Sequence, residues 1–126
     1  MANEFKCRTI KNVNAVAGTG SLLYATPDGK TSIMLELDIA NTTTSVVQAT
    51  VELLDYSDAS GSGVGTNWKH IVKNAPVPSG GSLMVIAGQK IVLEERSGGT
   101  GDAIRVTSSA ATSLDVVSAI LEDVNP

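Results

Sequence analysis

From Thr31 to Tyr56 the chain alternates apolar and polar positions with a period of two. Ile33, Leu35, Leu37 and Ile39 fall on one parity, and Ser32, Met34, Glu36 and Asp38 on the other, as in a half-buried strand. Val47, Ala49, Val51 and Leu53 repeat the pattern against Gln48, Thr50 and Glu52. Between them, Asn41-Thr42-Thr43-Thr44 is polar and offers Asn where unusual backbone angles are needed. The stretch predicts two long strands joined as a hairpin, with the rest of the chain packed against it. Burying the four aliphatic side chains of the first strand is worth roughly 6 to 12 kcal/mol before entropy is subtracted.

The same reading extends along the chain. Phe5 to Val13 predicts a first strand carrying Lys6, Arg8 and Lys11, so that residues 1–13 form either an edge strand with protective charge or a basic docking arm. Gly18 and Gly20 interrupt, Ser21 to Ala25 resumes as a short strand, and Thr26-Pro27-Asp28-Gly29 makes a tight turn. After Tyr56, SDASGSGVGTN holds three glycines and three serines, a loop and the most mobile segment expected. Trp68 to Lys73 is extended and stops at Asn74-Ala75-Pro76-Val77-Pro78, because proline cannot donate to a ladder. Leu83 to Ile86, Lys90 to Glu94 and Ala103 to Thr107 predict short strands, separated by Gly88 and by the Gly98-Gly99-Thr100-Gly101-Asp102 turn. The last strand, Ser113 to Val124, is apolar on both parities, as when a face is buried by a neighbour. No window has helical spacing. The expected fold is all-β, a single antiparallel β-sandwich domain over residues 1–126 with eight or nine strands, Ig-like or jelly-roll.

Composition narrows the function classes. The 126 residues are 42% hydrophobic but only 3% aromatic, so the core is built from aliphatic side chains. A net charge of −4 gives no footprint for a phosphate backbone, and nucleic acid is not an expected partner. Cys7 is the only cysteine, which excludes an intramolecular disulfide. The opening MANEFKCRTIK has no signal-peptide apolar run and no window is long enough to span a bilayer, so no membrane partner is expected.

Nothing in the residues specifies chemistry. His70 is the only histidine and has no nucleophile motif beside it; one His and one Cys are too few for a zinc site. The acidic trio Glu52, Asp55 and Asp58 does not match an EF-hand loop, and Gly61-Ser62-Gly63-Val64-Gly65 lacks the Lys-Ser/Thr of a phosphate loop. The reading is a non-enzyme with no cofactor and no metal. Two pairs remain as candidate contacts. Tyr56 and Trp68 bracket the glycine-rich loop and form either a sugar or partner platform or a cap on the core. Val117 and Leu121 form either a subunit interface or the floor beneath a loop of the same chain.

Several stretches together resemble a family of small tailed-bacteriophage virion proteins common in marine phages and cyanophages: FKCRTIKNV, LLYATPDGKTSIMLELDIANTTTSVVQATVEL, IVKNAPVPSGGSLMV, QKIVLEERSG and DAIRVTSSAATSLDVVSAILEDV. The segments Tyr24 to Pro27, Leu37 to Thr43 and Ile71 to Leu83 carry most of the likeness, which covers nearly the whole chain. SDASGSGVGTNW is a longer insertion than the family's pattern carries. The resemblance implies a β-sandwich virion structural protein, made in the host bacterial cytoplasm. It points to a capsid decoration (cement) protein on the outer capsid surface, bound to the major capsid protein or other virion proteins as a homo-oligomer, with a trimer favoured. The alternatives are a tail, neck or fibre component, or a carbohydrate- or partner-binding module.

Overall fold

The computed structural model describes residues 3–58, 60, 65–96 and 98–122. Among the described residues eight strands follow in order: β1 (Glu4–Ile10), β2 (Ser21–Ala25), β3 (Ser32–Asn41), β4 (Val47–Leu54), β5 (Trp68–Val77), β6 (Ser82–Leu93), β7 (Ala103–Ser108) and β8 (Leu114–Glu122). They form two four-stranded antiparallel sheets, β1-β8-β3-β6 and β2-β7-β4-β5. The first strand pairs with the last, the second with the seventh, the third with the sixth and the fourth with the fifth. The chain is thus one long hairpin, folded at the β4–β5 loop and rolled up into two sheets. That is the jelly-roll route, and it settles the choice the sequence left open with the Ig-like one.

The predicted β3–β4 hairpin does not form, because the two strands lie in different sheets. Asn41 is the cause. Its buried side-chain amide donates to the carbonyls of Ser45 (2.7 Å) and of Val77 on β5 (2.9 Å), while its Oδ1 accepts from the Thr43 backbone amide (2.9 Å) and hydroxyl (2.7 Å). The polar tetrapeptide is lashed to the opposite sheet, so it carries the chain across the sandwich rather than back alongside β3.

The parity of β3 also differs from the simple alternation. A bulge at Leu35 shifts the register against β8 between Met34 and Glu36, so Met34, Leu37 and Ile39 are buried while Ile33 and Leu35 are only partly covered. The partner strand β6 has its own irregularity there, with Gly88 at φ +110° and Lys90 at φ +61°. Gly88 therefore bends one long strand and does not separate two. Likewise β5 runs on through Pro76, which is tolerated because β5 is the edge of its sheet.

Between the sheets lies an aliphatic core that includes Met34, Leu37, Ile39, Ile86, Leu93, Ile104, Leu114 and Ile120, all fully buried. Tyr24 is its one buried aromatic. Along β8, Leu114, Val116 and Ile120 point inward and Val117, Ala119 and Leu121 outward. Val124 and the glycine-rich segment 61–64 lie outside the described residues.

Candidate interaction surface and adjoining cleft

In an antiparallel sheet, residues in direct register share a face. Along the outer face of the β1-β8-β3-β6 sheet, Phe5, Leu121, Ile33 and Val92 stand opposite one another in one row across all four strands. A second row runs Thr9, Val117, Asp38 and Met84, and the row between holds Cys7, Ala119, Glu36 and Ala87. Phe5 is 78% exposed, Met84 69%, Val92 57% and Val117 52%. The structure therefore brings Val117 and the half-buried Leu121 together with the exposed Phe5, Met84 and Val92 and the half-buried Ile33, an apolar patch of the kind that marks contact surfaces. In its middle stand the Glu36 and Asp38 carboxyls, and the neighbouring Asp38, by favouring a proton held between the two groups and by repelling a second charge, raises the Glu36 pKa.

Behind this face, at the end of the sandwich, sits a buried carboxylate that the sequence reading placed nowhere. Glu122 is 1% exposed. Its Oε1 is 2.7 Å from Lys6 Nζ and 3.8 Å from Lys30 Nζ, and its Oε2 accepts the Tyr24 hydroxyl proton at 2.6 Å. Tyr24 OH also lies 2.8 Å from Ser32 Oγ. The network joins β2 of one sheet to β1, β3 and β8 of the other. Burial pushes the Glu122 carboxyl up, but hydrogen bonds from Lys6 and Tyr24 and the two lysine charges outweigh it and leave the pKa lowered. Burial and the bond to Glu122 push the Tyr24 hydroxyl well above its ordinary range.

The outer face of the opposite sheet carries an ion-paired row, His70, Glu52 and Arg105, that ends at the exposed Leu22. Glu52 on β4 is 8% exposed and receives Arg105 of β7 through two contacts, Nε–Oε1 at 3.0 Å and Nη2–Oε2 at 3.3 Å. Arg105 also lies over the Trp68 ring, 4.1 Å from its centre, and His70 Nε2 is 3.7 Å from Glu52 Oε2. Cys7, the only thiol, is on the other sheet. Tyr56 is engaged separately by Arg96, which lies 4.0 Å from its ring centre and donates to its hydroxyl at 2.7 Å. The two bracketing aromatics are thus held by different arginines. Beside Glu52 a cleft of about 410 Å³ opens beneath the β1–β2 loop.

The acidic trio of the sequence disperses. Glu52 pairs with Arg105, Asp58 is held far below the carboxylate range by the Lys69 ammonium and Ser60, and Asp55 meets Glu94 and Asp102. The last three bring carboxylate oxygens within 4.8 Å of one another, a donor set suited to a hard cation. Both Asp102 oxygens already accept backbone amides, from Tyr56 at 2.8 Å and Glu94 at 3.0 Å, which makes Asp102 a clamp between two loops.

No protein-family profile matches the sequence, and no curated protein does. The fold is similar to a chain in a structure of infectious bursal disease virus, Gx strain, with a TM-score of 0.50, 13% identity, and coverage of 97% of this chain and 32% of that one. A chain in a structure of the Gt strain aligns over 96% of this chain and 36% of its own, at TM-score 0.44 and 10% identity. The chain thus spans about a third of the length of the virus chains it matches, and what it shares with the Gx-strain chain is the fold.

Proposed function

We propose that the chain is a virion structural protein, not an enzyme, that assembles through the outer face of the β1-β8-β3-β6 sheet. The observation that carries the reading is the outward-facing row Phe5, Leu121, Ile33 and Val92, exposed at both ends, with Val117 and Met84 on the same face, on a jelly roll matched over 97% of its length by a chain from a virus structure. Jelly rolls host several functions, capsid and lectin domains among them, so the weight falls on the face. Within the virion, the reading is a capsid decoration (cement) protein, a homo-oligomer on the outer capsid surface bound to the major capsid protein, with Tyr56 and Trp68 at a loop that meets a partner.

Two measurements test this. Quantitative mass spectrometry of purified particles gives the copy number against the major capsid protein. A ratio near one supports a shell-wide cement, a few per cent transfers the role to neck, tail or fibres, and absence refutes the virion reading. Light scattering on Val117→Lys and Leu121→Lys then tests the face. Loss of the oligomer in both supports it, and an unchanged oligomer in folded variants refutes it.

A further inference from the structure

We infer that the cleft beneath the β1–β2 loop is a saccharide-binding site. Three features make it a built cleft and not a surface dent. First, its wall is pinned. Arg105 Nη1 donates to the Gly18 carbonyl at 2.9 Å, Ser108 N to the Asn14 carbonyl at 3.0 Å, and Asn14 N to Ser21 Oγ at 2.9 Å. The loop therefore cannot collapse onto the sheet. Second, its floor is a carboxylate already fixed in place, since Glu52 is held by two contacts from Arg105. A carboxylate has about four lone-pair sites, so Glu52 keeps acceptor capacity toward the cleft. Third, a bulge on β5 sets two residues, Lys73 and Asn74, opposite Thr50 alone. Asn74 adopts φ +51°, and its backbone amide donates to Thr50 Oγ1 at 3.1 Å. Both bulge residues line the cleft. Bulges commonly re-aim side chains toward sites in this way.

The chemistry of the lining selects the ligand class. Lys73 in the lining attracts an anion but Glu52 opposes one, and the Arg105 guanidinium, whose planar fork would bind an anion through two bonds, is already committed to Glu52, Gly18 and the Trp68 ring. Thr50 Oγ1 and Asn74 Oδ1 are already bonded to each other at 3.4 Å, but an apolar ligand would strip water from the remaining acceptor sites of Glu52 and from the Asn74 amide donors without replacing those hydrogen bonds. A sugar satisfies them, because each hydroxyl both donates and accepts. It can donate to Glu52 while accepting from Lys73 or His70, and Asn74 can do either. The methyl groups of Ala15 and Ala17 on the pinned wall offer an apolar strip to the ring's C–H face. A volume of about 410 Å³ lies within the range of small-ligand sites, roughly 300 to 1,000 Å³. The cleft and the proposed assembly face are on different sheets, so failure of one reading is distinguishable from failure of the other.

The test is a titration of the intact chain with the methyl glycosides of glucose, galactose, mannose and N-acetylglucosamine, and separately with inorganic phosphate. Amide chemical shifts and the fluorescence of Trp68, the only tryptophan, are the readouts. The expected result is a saturable response to at least one glycoside, centred on Thr50, Glu52 and Asn74, with a dissociation constant on the order of 1 mM. Asn74→Gly keeps the backbone angle and removes the amide, and Glu52→Gln removes the charge. Each weakens binding by roughly tenfold, the loss of about one hydrogen bond. No saturable response to any glycoside, shifts centred elsewhere, tighter binding of phosphate at the same residues, or undiminished binding by a folded Asn74→Gly variant would each overturn the inference.

Discussion

Replacing Glu122 by Gln tests the buried network that ties the two sheets together. The substitution keeps the shape of the side chain and removes its charge. It deletes the charge-assisted contact with Lys6 at 2.7 Å, weakens the pull on Lys30 at 3.8 Å, and leaves the Tyr24 hydroxyl at 2.6 Å facing a neutral acceptor. Breaking a fully buried ion pair costs 3–5 kcal/mol, but the Lys6 and Lys30 side chains are 29% and 32% exposed and regain water when released. A hydrogen bond to a charged group contributes about 1.5–3 kcal/mol. The expected loss at pH 7 is therefore about 2–3 kcal/mol, which lowers Tm by about 8–12 °C for a chain of this length. The pH dependence gives the sharper check. The folded carboxyl is held below its ordinary value of 4.5, so its contribution is present above pH 4.5 and fades as pH falls through the lower folded value. Thermal melts of the two proteins followed by circular dichroism should converge in acid. An equal gap at pH 7 and pH 3, or no gap at pH 7, would refute the assignment of the stability to the Glu122 charge.

Tyr24→Phe probes the same network from the alkaline side. The folded hydroxyl is raised above its ordinary value of 10.0, so its contribution, about 1–2 kcal/mol, is present below pH 10 and fades above it. The variant's deficit in a urea melt should shrink accordingly. Gly101→Ala would set a Cβ 2.2 Å from the Glu94 carbonyl oxygen, and the backbone shift this forces should cost about 2 kcal/mol, seen as a lower urea midpoint at unchanged slope. In hydrogen exchange, β1 amides should exchange faster than those of β3, because β1 is an edge strand whose residues are exposed or half-buried.

Period-two alternation and glycine-rich turns made the sandwich and its strand number legible, since both are written in neighbouring residues. What failed was non-local. Asn41 looks like a turn residue, and only its bond to the Val77 carbonyl makes it the corner that sends β4 to the other sheet. The Leu35 bulge has no residue signature on its own strand, and Gly88 opposite it reads as a break as readily as a kink. Val117 and Leu121 were legible from the doubly apolar strand, whereas Phe5, Ile33, Val92 and Met84 joined them only once register was known. Glu122 and Lys6 are separated by more than a hundred positions yet stand on adjacent strands. Similarly, Glu52 and Arg105 are direct register partners, which no spacing rule could have announced.

Rolling one hairpin into two sheets leaves four edge strands: β1 and β6 on one sheet, β2 and β5 on the other. An open edge invites strand addition, and each of these is blunted by a different device. Glu4, Lys6 and Arg8 charge β1, and β2 is only five residues long with a register shift between Leu22 and Tyr24. On β5, Pro76 removes a donor and the Asn74 bulge interrupts the ladder, while on β6 the bulge around Gly88 and Lys90 twists the edge away. Edge-to-edge growth is therefore disfavoured on every side. Four exposed large apolar side chains, Phe5, Met84, Val92 and Val117, cluster on the outer face of one sheet, while Leu22 on the other sheet and the loop residues Val16 and Val46 stand apart from them, and that other sheet carries the ion-paired cleft. With its edges blunted, the chain's open surface for the proposed self-association is a sheet face, and the proposed ligand cleft lies on the other sheet.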